Sequence, residues 1–169
     1  MVRMTAGPAR VVLLLLVMAV TAACAVAARD EQDETAAGPE WRIGPRSGVG
    51  AATQTDPARL TGIHVEKHGE FDRITIGFDG RLPGYRVSYG SASPDVLVIV
   101  LRHVDGAKAQ TLDVDLPAVG QVRREDPDAE AVRTTVTMSS AGRLPFRIGF
   151  SLDSFYVDVA HPGEASGLG

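Results

Sequence analysis

From residue 59 onward, apolar and polar positions alternate in short runs. Ile63 and Val65, then Ile74, Ile76 and Phe78, then Tyr85, Val87 and Tyr89 recur with a period of two, and Gly, Pro, Asp or Ser closes each run. Successive side chains of an extended backbone point to opposite faces, so these runs predict half-buried strands with one wet face. Val96-Leu97-Val98-Ile99-Val100-Leu101 is unbroken, which predicts a central strand covered on both sides. Alternation resumes at Leu112, Val114 and Leu116. The turn signature Glu125-Asp126-Pro127-Asp128 precedes runs at Val132 to Met138, Phe146 to Phe150 and Phe155 to Val159. About eight short strands with turns between them, and no sustained helical period, predict an all-β fold. The expected form is a small β-sandwich of two short antiparallel or mixed sheets.

The first residues follow a different pattern. Arg3 and Arg10 precede a ten-residue apolar block, Val11 to Val20, and small residues follow at Thr21-Ala22-Ala23. That is the layout of an export signal, here residues 1–23. The single Cys comes next, and Thr21-Ala22-Ala23-Cys24 resembles the lipobox of bacterial lipoproteins, with Thr21 where Leu or Val is usual. The adopted reading is lipidation of Cys24, which would hold the chain to the outer face of the membrane. Two others stand beside it: ordinary cleavage at Ala25-Val26-Ala27, giving a secreted protein, and an uncleaved anchor over the 18 charge-free residues Val11 to Ala28. Arg before the apolar run and Asp30, Glu31, Asp33 and Glu34 after it favour export of the remainder.

Between these regions, Ala, Gly, Pro, Asp and Glu make up 21 of the 34 residues from Ala25 to Ala58, with no apolar periodicity. Residues 24–58 therefore read as a flexible acidic tether, and 163–169 as a flexible tail. Trp41, the only Trp, reads as a strap folded over the domain edge, or else as a stacking platform for a sugar ring.

Composition narrows the function. A net charge of −4 without a dense Lys/Arg cluster argues against nucleic acid. One Cys excludes an intrachain disulfide or a Cys-rich zinc site. His64 and His68 would share one side of a strand, but no third ligand is evident, so neither a metal nor any other cofactor is expected. His103 and His161 fall at strand ends, where solvated histidines are common. No Gly-x-Ser-x-Gly, Ser-x-x-Lys, His-Glu-x-x-His or phosphate-cradling Gly loop occurs, so the chain reads as a binder and not an enzyme.

An internal echo links two segments about 62 residues apart: Gly80-Arg81-Leu82-Pro83-Gly84-Tyr85-Arg86-Val87-Ser88-Tyr89 and Gly142-Arg143-Leu144-Pro145-Phe146-Arg147-Ile148-Gly149-Phe150. Each reads as a turn leading into a strand with Arg on the face opposite its apolar residues, and two such halves predict two related sheets face to face.

Several of these segments resemble a known family. His68-Gly69-Glu70-Phe71-Asp72-Arg73 leading into Ile74-Thr75-Ile76-Gly77-Phe78, with Pro83-Gly84-Tyr85-Arg86-Val87-Ser88-Tyr89, Val132 to Met138, Pro145-Phe146-Arg147-Ile148 and Phe155 to His161, is similar to the AMIN-like domain of exported bacterial lipoproteins. The resemblance covers roughly residues 59–162. It implies a small β-sandwich associated with peptidoglycan binding and localisation, as in the related AMIN domains that precede cell-wall amidases and secretins. No zinc-hydrolase domain follows in the eight residues after His161, so amidase chemistry is not expected. The residues carrying a wall-polymer contact would be Arg73, Arg86 and Arg147, offering guanidinium forks to carboxylate or phosphate, and Tyr85, offering a ring face to sugar. Their outward projection would form one basic strip. The plainer alternative is Arg on a wet strand face cross-paired with Asp or Glu. A protein-interaction domain docking to an envelope partner is the rival function.

Overall fold

The structure, a computed structural model, describes residues 40–106, 108–125 and 131–163, and the Cys24 and export-signal readings lie outside these residues. Among the described residues there are eleven strands and no helix. They are β1 (Arg46–Gly48), β2 (Ala58–Lys67), β3 (Phe71–Asp79), β4 (Gly84–Tyr89), β5 (Val96–Arg102), β6 (Val104–Asp105), β7 (Gln110–Asp113), β8 (Val119–Arg124), β9 (Ala131–Met138), β10 (Phe146–Phe150) and β11 (Ser154–Ala160). One sheet has six strands in the order β1-β4-β5-β9-β8-β7, all antiparallel. The other has five, β10-β11-β3-β2-β6, with a parallel pair between β2 and β6. The expected β-sandwich of antiparallel and mixed sheets is what forms.

Alternation explains the burial. Ile74, Ile76 and Phe78 of β3 and Phe155, Val157 and Val159 of β11 face Val87, Leu97, Ile99, Leu101, Val132 and Val136 of the six-stranded sheet in one aliphatic-rich core. Phe146 and Phe155 are its largest fully buried side chains.

The strands differ from the sequence pattern in three places. Leu97, Ile99 and Leu101 are buried, but Val96, Val98 and Val100 on the other face of β5 are only half-buried, so this central strand is covered on one side alone. β8 has no counterpart in the alternating runs, because a bulge at Gly120 separates Val119 from Gln121 in register and leaves Val119 and Val122 three residues apart. Residues 110–113, not the run up to Leu116, form β7; Val114 and Leu116 instead donate their N–H groups to Gly120 and Val119 in the tight turn into β8.

The tether assignment is also corrected from residue 40 on. Residues 40–57 belong to the same folded unit as the strands that follow. Arg42 exchanges two backbone hydrogen bonds with Phe146 of β10 (2.9 and 2.8 Å), and β1 pairs with β4. This strap therefore runs from an edge of one sheet to an edge of the other. Ala52, 5% exposed, completes it by donating to the Leu82 carbonyl at 3.0 Å.

The echoed segments enter β4 and β10, one in each sheet. Gly80 and Gly142 both adopt left-handed backbone (φ 92° and 108°), which only glycine takes without strain. Tyr89 at the end of the first copy clamps the second: its hydroxyl donates to the Leu144 carbonyl (2.6 Å) and accepts from the Leu144 N–H (2.9 Å). Burial pushes the pKa of this hydroxyl up to about 12, although the bond to Leu144 and the charge of Arg143 pull the other way. An unfolded phenol ionises near pH ~10, losing a proton the folded state still holds, so unfolding gains ground as pH rises through that interval. Tyr89→Phe is expected to cost about 1–2 kcal/mol at neutral pH. In denaturant titrations from pH ~10 to ~12, wild type should lose stability more steeply than this variant.

Candidate binding surfaces

Arg147, Asp158, Arg73 and Glu66 are direct cross-strand neighbours on the outer face of the five-stranded sheet, one each from β10, β11, β3 and β2. Opposite charges thus alternate along a single row. Arg73 grips Asp158 with a two-pronged fork, Nε to Oδ1 at 2.6 Å and Nη2 to Oδ2 at 2.9 Å, while Arg147 Nε donates to Oδ2 at 2.8 Å. Although Asp158 points outward, its side chain is fully buried beneath the two arginines, which are 26% and 25% exposed. The hydrogen bond to Asp158 raises the Arg73 pKa, outweighing burial.

Aromatic rings flank both cations. The Arg147 guanidinium lies 4.5 Å from the Trp41 ring centre and 4.7 Å from that of Phe71; Arg73 lies 4.0 Å from Tyr156 and 5.4 Å from Phe71. His68 stacks on Phe71 at 4.7 Å with 12° between the planes. Gly149 makes room for this arrangement, since a Cβ there would meet the Tyr156 ring. Two guanidinium groups share one carboxylate, which leaves the cluster cationic before Glu66 is considered. Trp41 is consequently a strap residue, and its ring belongs to the platform as well.

The candidate residues do not form one strip. Arg73 and Arg147 come together, but Arg86 is exposed on the outer face of the six-stranded sheet, on the opposite side of the sandwich. Equivalent places in the echo lead to this separation, because the two copies feed different sheets. Tyr85 points inward at the sandwich edge, with ring centres of Phe150 and Phe155 each 5.3 Å away. It packs there half-buried, and part of it lines a depression beside Arg86 and Arg102.

Asp72 and Arg73, neighbours in sequence, have separate partners. They point to opposite faces of β3, and Asp72 is fully buried between the sheets. Its Oδ2 accepts the N–H groups of Ala118 (2.7 Å) and Val119 (3.1 Å) from the six-stranded side, and its Oδ1 lies 2.9 Å from His161 Nε2. His161, 8% exposed, is therefore a buried partner and not a solvated strand end. A polar residue in phase with Ile74, Ile76 and Phe78 is the sequence signal for this tie. His64 and His68 flank Glu66 on β2, at 3.6 and 3.2 Å. Among the described residues no three His, Cys, Asp or Glu side chains gather as a metal site.

No family model matches the chain, and no solved structure matches it. A mouse protein, dedicator of cytokinesis protein 6, is 32% identical over 108 residues. That stretch is 62% of this chain and spans 5% of the mouse protein's length.

Proposed function

We propose that the chain is an exported module, anchored by lipid on Cys24, that binds peptidoglycan or another wall polymer and carries out no catalysis. The observation that supports this most is the face bearing Trp41, Arg147, Phe71, Arg73 and Tyr156, where ring faces adjoin guanidinium groups. Sugar rings stack on aromatic faces, and the carboxylates of wall peptides pair with guanidinium donors. Arg147 donates to Asp158 through its Nε and keeps 25% of its side chain exposed. The resemblance to AMIN-like domains points to the same ligand class.

Full-length protein should sediment with isolated cell wall, and Trp41→Ala or Tyr156→Ala should weaken this about two- to tenfold, the range of one lost ring contact. An unchanged melting temperature would separate the effect from unfolding. Absence of sedimentation, or full retention by both variants, would reject the glycan reading. Intact-mass spectrometry should find a lipid adduct on wild type and none on Cys24→Ala. A protein-docking reading is favoured by one feature, the position of β7 at an edge of the six-stranded sheet, where a partner strand could add. Capture of one stoichiometric partner without wall affinity would establish it.

A further inference from the structure

The outer face of the six-stranded sheet carries four exposed arginines from four adjacent strands: Arg86 on β4, Arg102 on β5, Arg133 on β9 and Arg123 on β8. Register fixes their layout. Arg86 and Arg133 stand on either side of Val100, Arg102 lies two residues along from Val100, and Arg123 pairs with Thr135, which in turn pairs with Val98. The chain as a whole is net −4, so this is a local concentration of positive charge. Arg133 approaches Glu125 at 3.8 Å, and among the described residues no carboxylate is paired with Arg86, Arg102 or Arg123.

Two depressions sit at the ends of this band. One, of about 290 Å³, is lined by Ser47, Gly48, Val49, Tyr85, Arg86 and Arg102; the other, of about 480 Å³, is lined by Arg123, Arg124, Gln110, Thr111 and Gln121, with Glu125 as its one carboxylate. Three strand intervals separate β4 from β8, or roughly 14 Å at the usual spacing. Each end thus offers guanidinium donors beside a hydroxyl, the combination that holds phosphate oxygens.

From this layout we infer that the outer face of the six-stranded sheet binds a linear polyphosphate-type polyanion, laid across the strands from Arg86 and Arg102 over Arg133 to Arg123. A membrane surface fits less well. The apolar residues between the arginines, Val96, Val98 and Val100, are half-buried, and of the exposed large apolar residues Ile43, Val49, Phe150 and Leu152, Val49 alone adjoins the band, at the Arg86–Arg102 depression. The inference stands apart from the proposed glycan platform, which occupies the other sheet.

The test uses full-length protein in zwitterionic micelles with fluorescent long-chain inorganic polyphosphate as probe. Wild type should bind, with affinity falling as salt rises, because each arginine–phosphate contact releases counterions. Arg86→Gln/Arg123→Gln should weaken binding by at least about tenfold at low salt and flatten the salt dependence. Lys67→Gln and Trp41→Ala should stay within about twofold, the Trp41 variant keeping this site distinct from the glycan platform. Exposed strand positions tolerate such changes, and an unchanged melting temperature verifies it. No binding by wild type, or equal loss in Lys67→Gln, would overturn the inference. So would a wild type that prefers phosphatidylglycerol-containing micelles over zwitterionic ones, with a double variant that loses this preference but keeps polyphosphate, since the face would then belong to a membrane.

Discussion

Asp72→Ala is expected to lower the unfolding free energy by about 3–5 kcal/mol, the range for removing one member of a buried charged hydrogen-bond cluster. The carboxylate spans the gap between the sheets and is the acceptor for the N–H groups of Ala118, just before β8, and Val119, the first residue of β8. Ala118 and Val119 are fully buried, so water cannot replace what the side chain provides. His161 Nε2 would lose its partner as well. Asp72→Asn retains an oxygen that can accept both N–H groups while its amide faces His161, and should recover more than half of the loss. Urea denaturation of the two variants checks this. Equal destabilisation would mean that charge, not hydrogen-bond acceptance, holds the sheets in place.

Asp158→Ala should be the next most damaging change, at about 2–4 kcal/mol, because two guanidinium groups lose one shared acceptor. Their partial exposure lets water recover some of that cost, which places the value below the Asp72 effect. Arg73→Ala combined with Asp158→Ala should cost less than the sum of the two single changes, since each removes the same fork. The second readout is optical. Trp41 is the only Trp and rests on Arg147. Freeing Arg147 should unstack it and shift its emission to the red. Loss of stability without that shift would show that the strap does not depend on the ion row.

Strands are legible wherever apolar residues keep strict alternation, as in β3, β4, β10 and β11. The strands that escape such a reading are β1, β6 and β8. The Gly120 bulge breaks the phase of β8, and β1 and β6 span three and two residues, too short for any period to emerge. At the candidate surfaces, sequence identifies Arg73 and Arg147 but not the carboxylate between them, since Asp158 is 85 residues from Arg73 and meets it only through β11–β3 pairing. The inward direction of Asp72 is readable from its phase with Ile74. What it binds is not, because Ala118 and Val119 come from the opposite sheet. The echo reveals two related halves, yet Arg86 and Arg147 diverge for the very reason that the halves face each other.

The strap also decides how the module responds to mechanical load. A pull on the chain ahead of residue 40 reaches Arg42 first, where two backbone bonds to Phe146 and the stacked Trp41 resist it, and only then the three residues of β1. These weak links would peel in turn as a sacrificial fuse. Because the core strands β3, β5, β9 and β11 lie behind them, such slack would let out several residues of reach before the sandwich itself bore any tension.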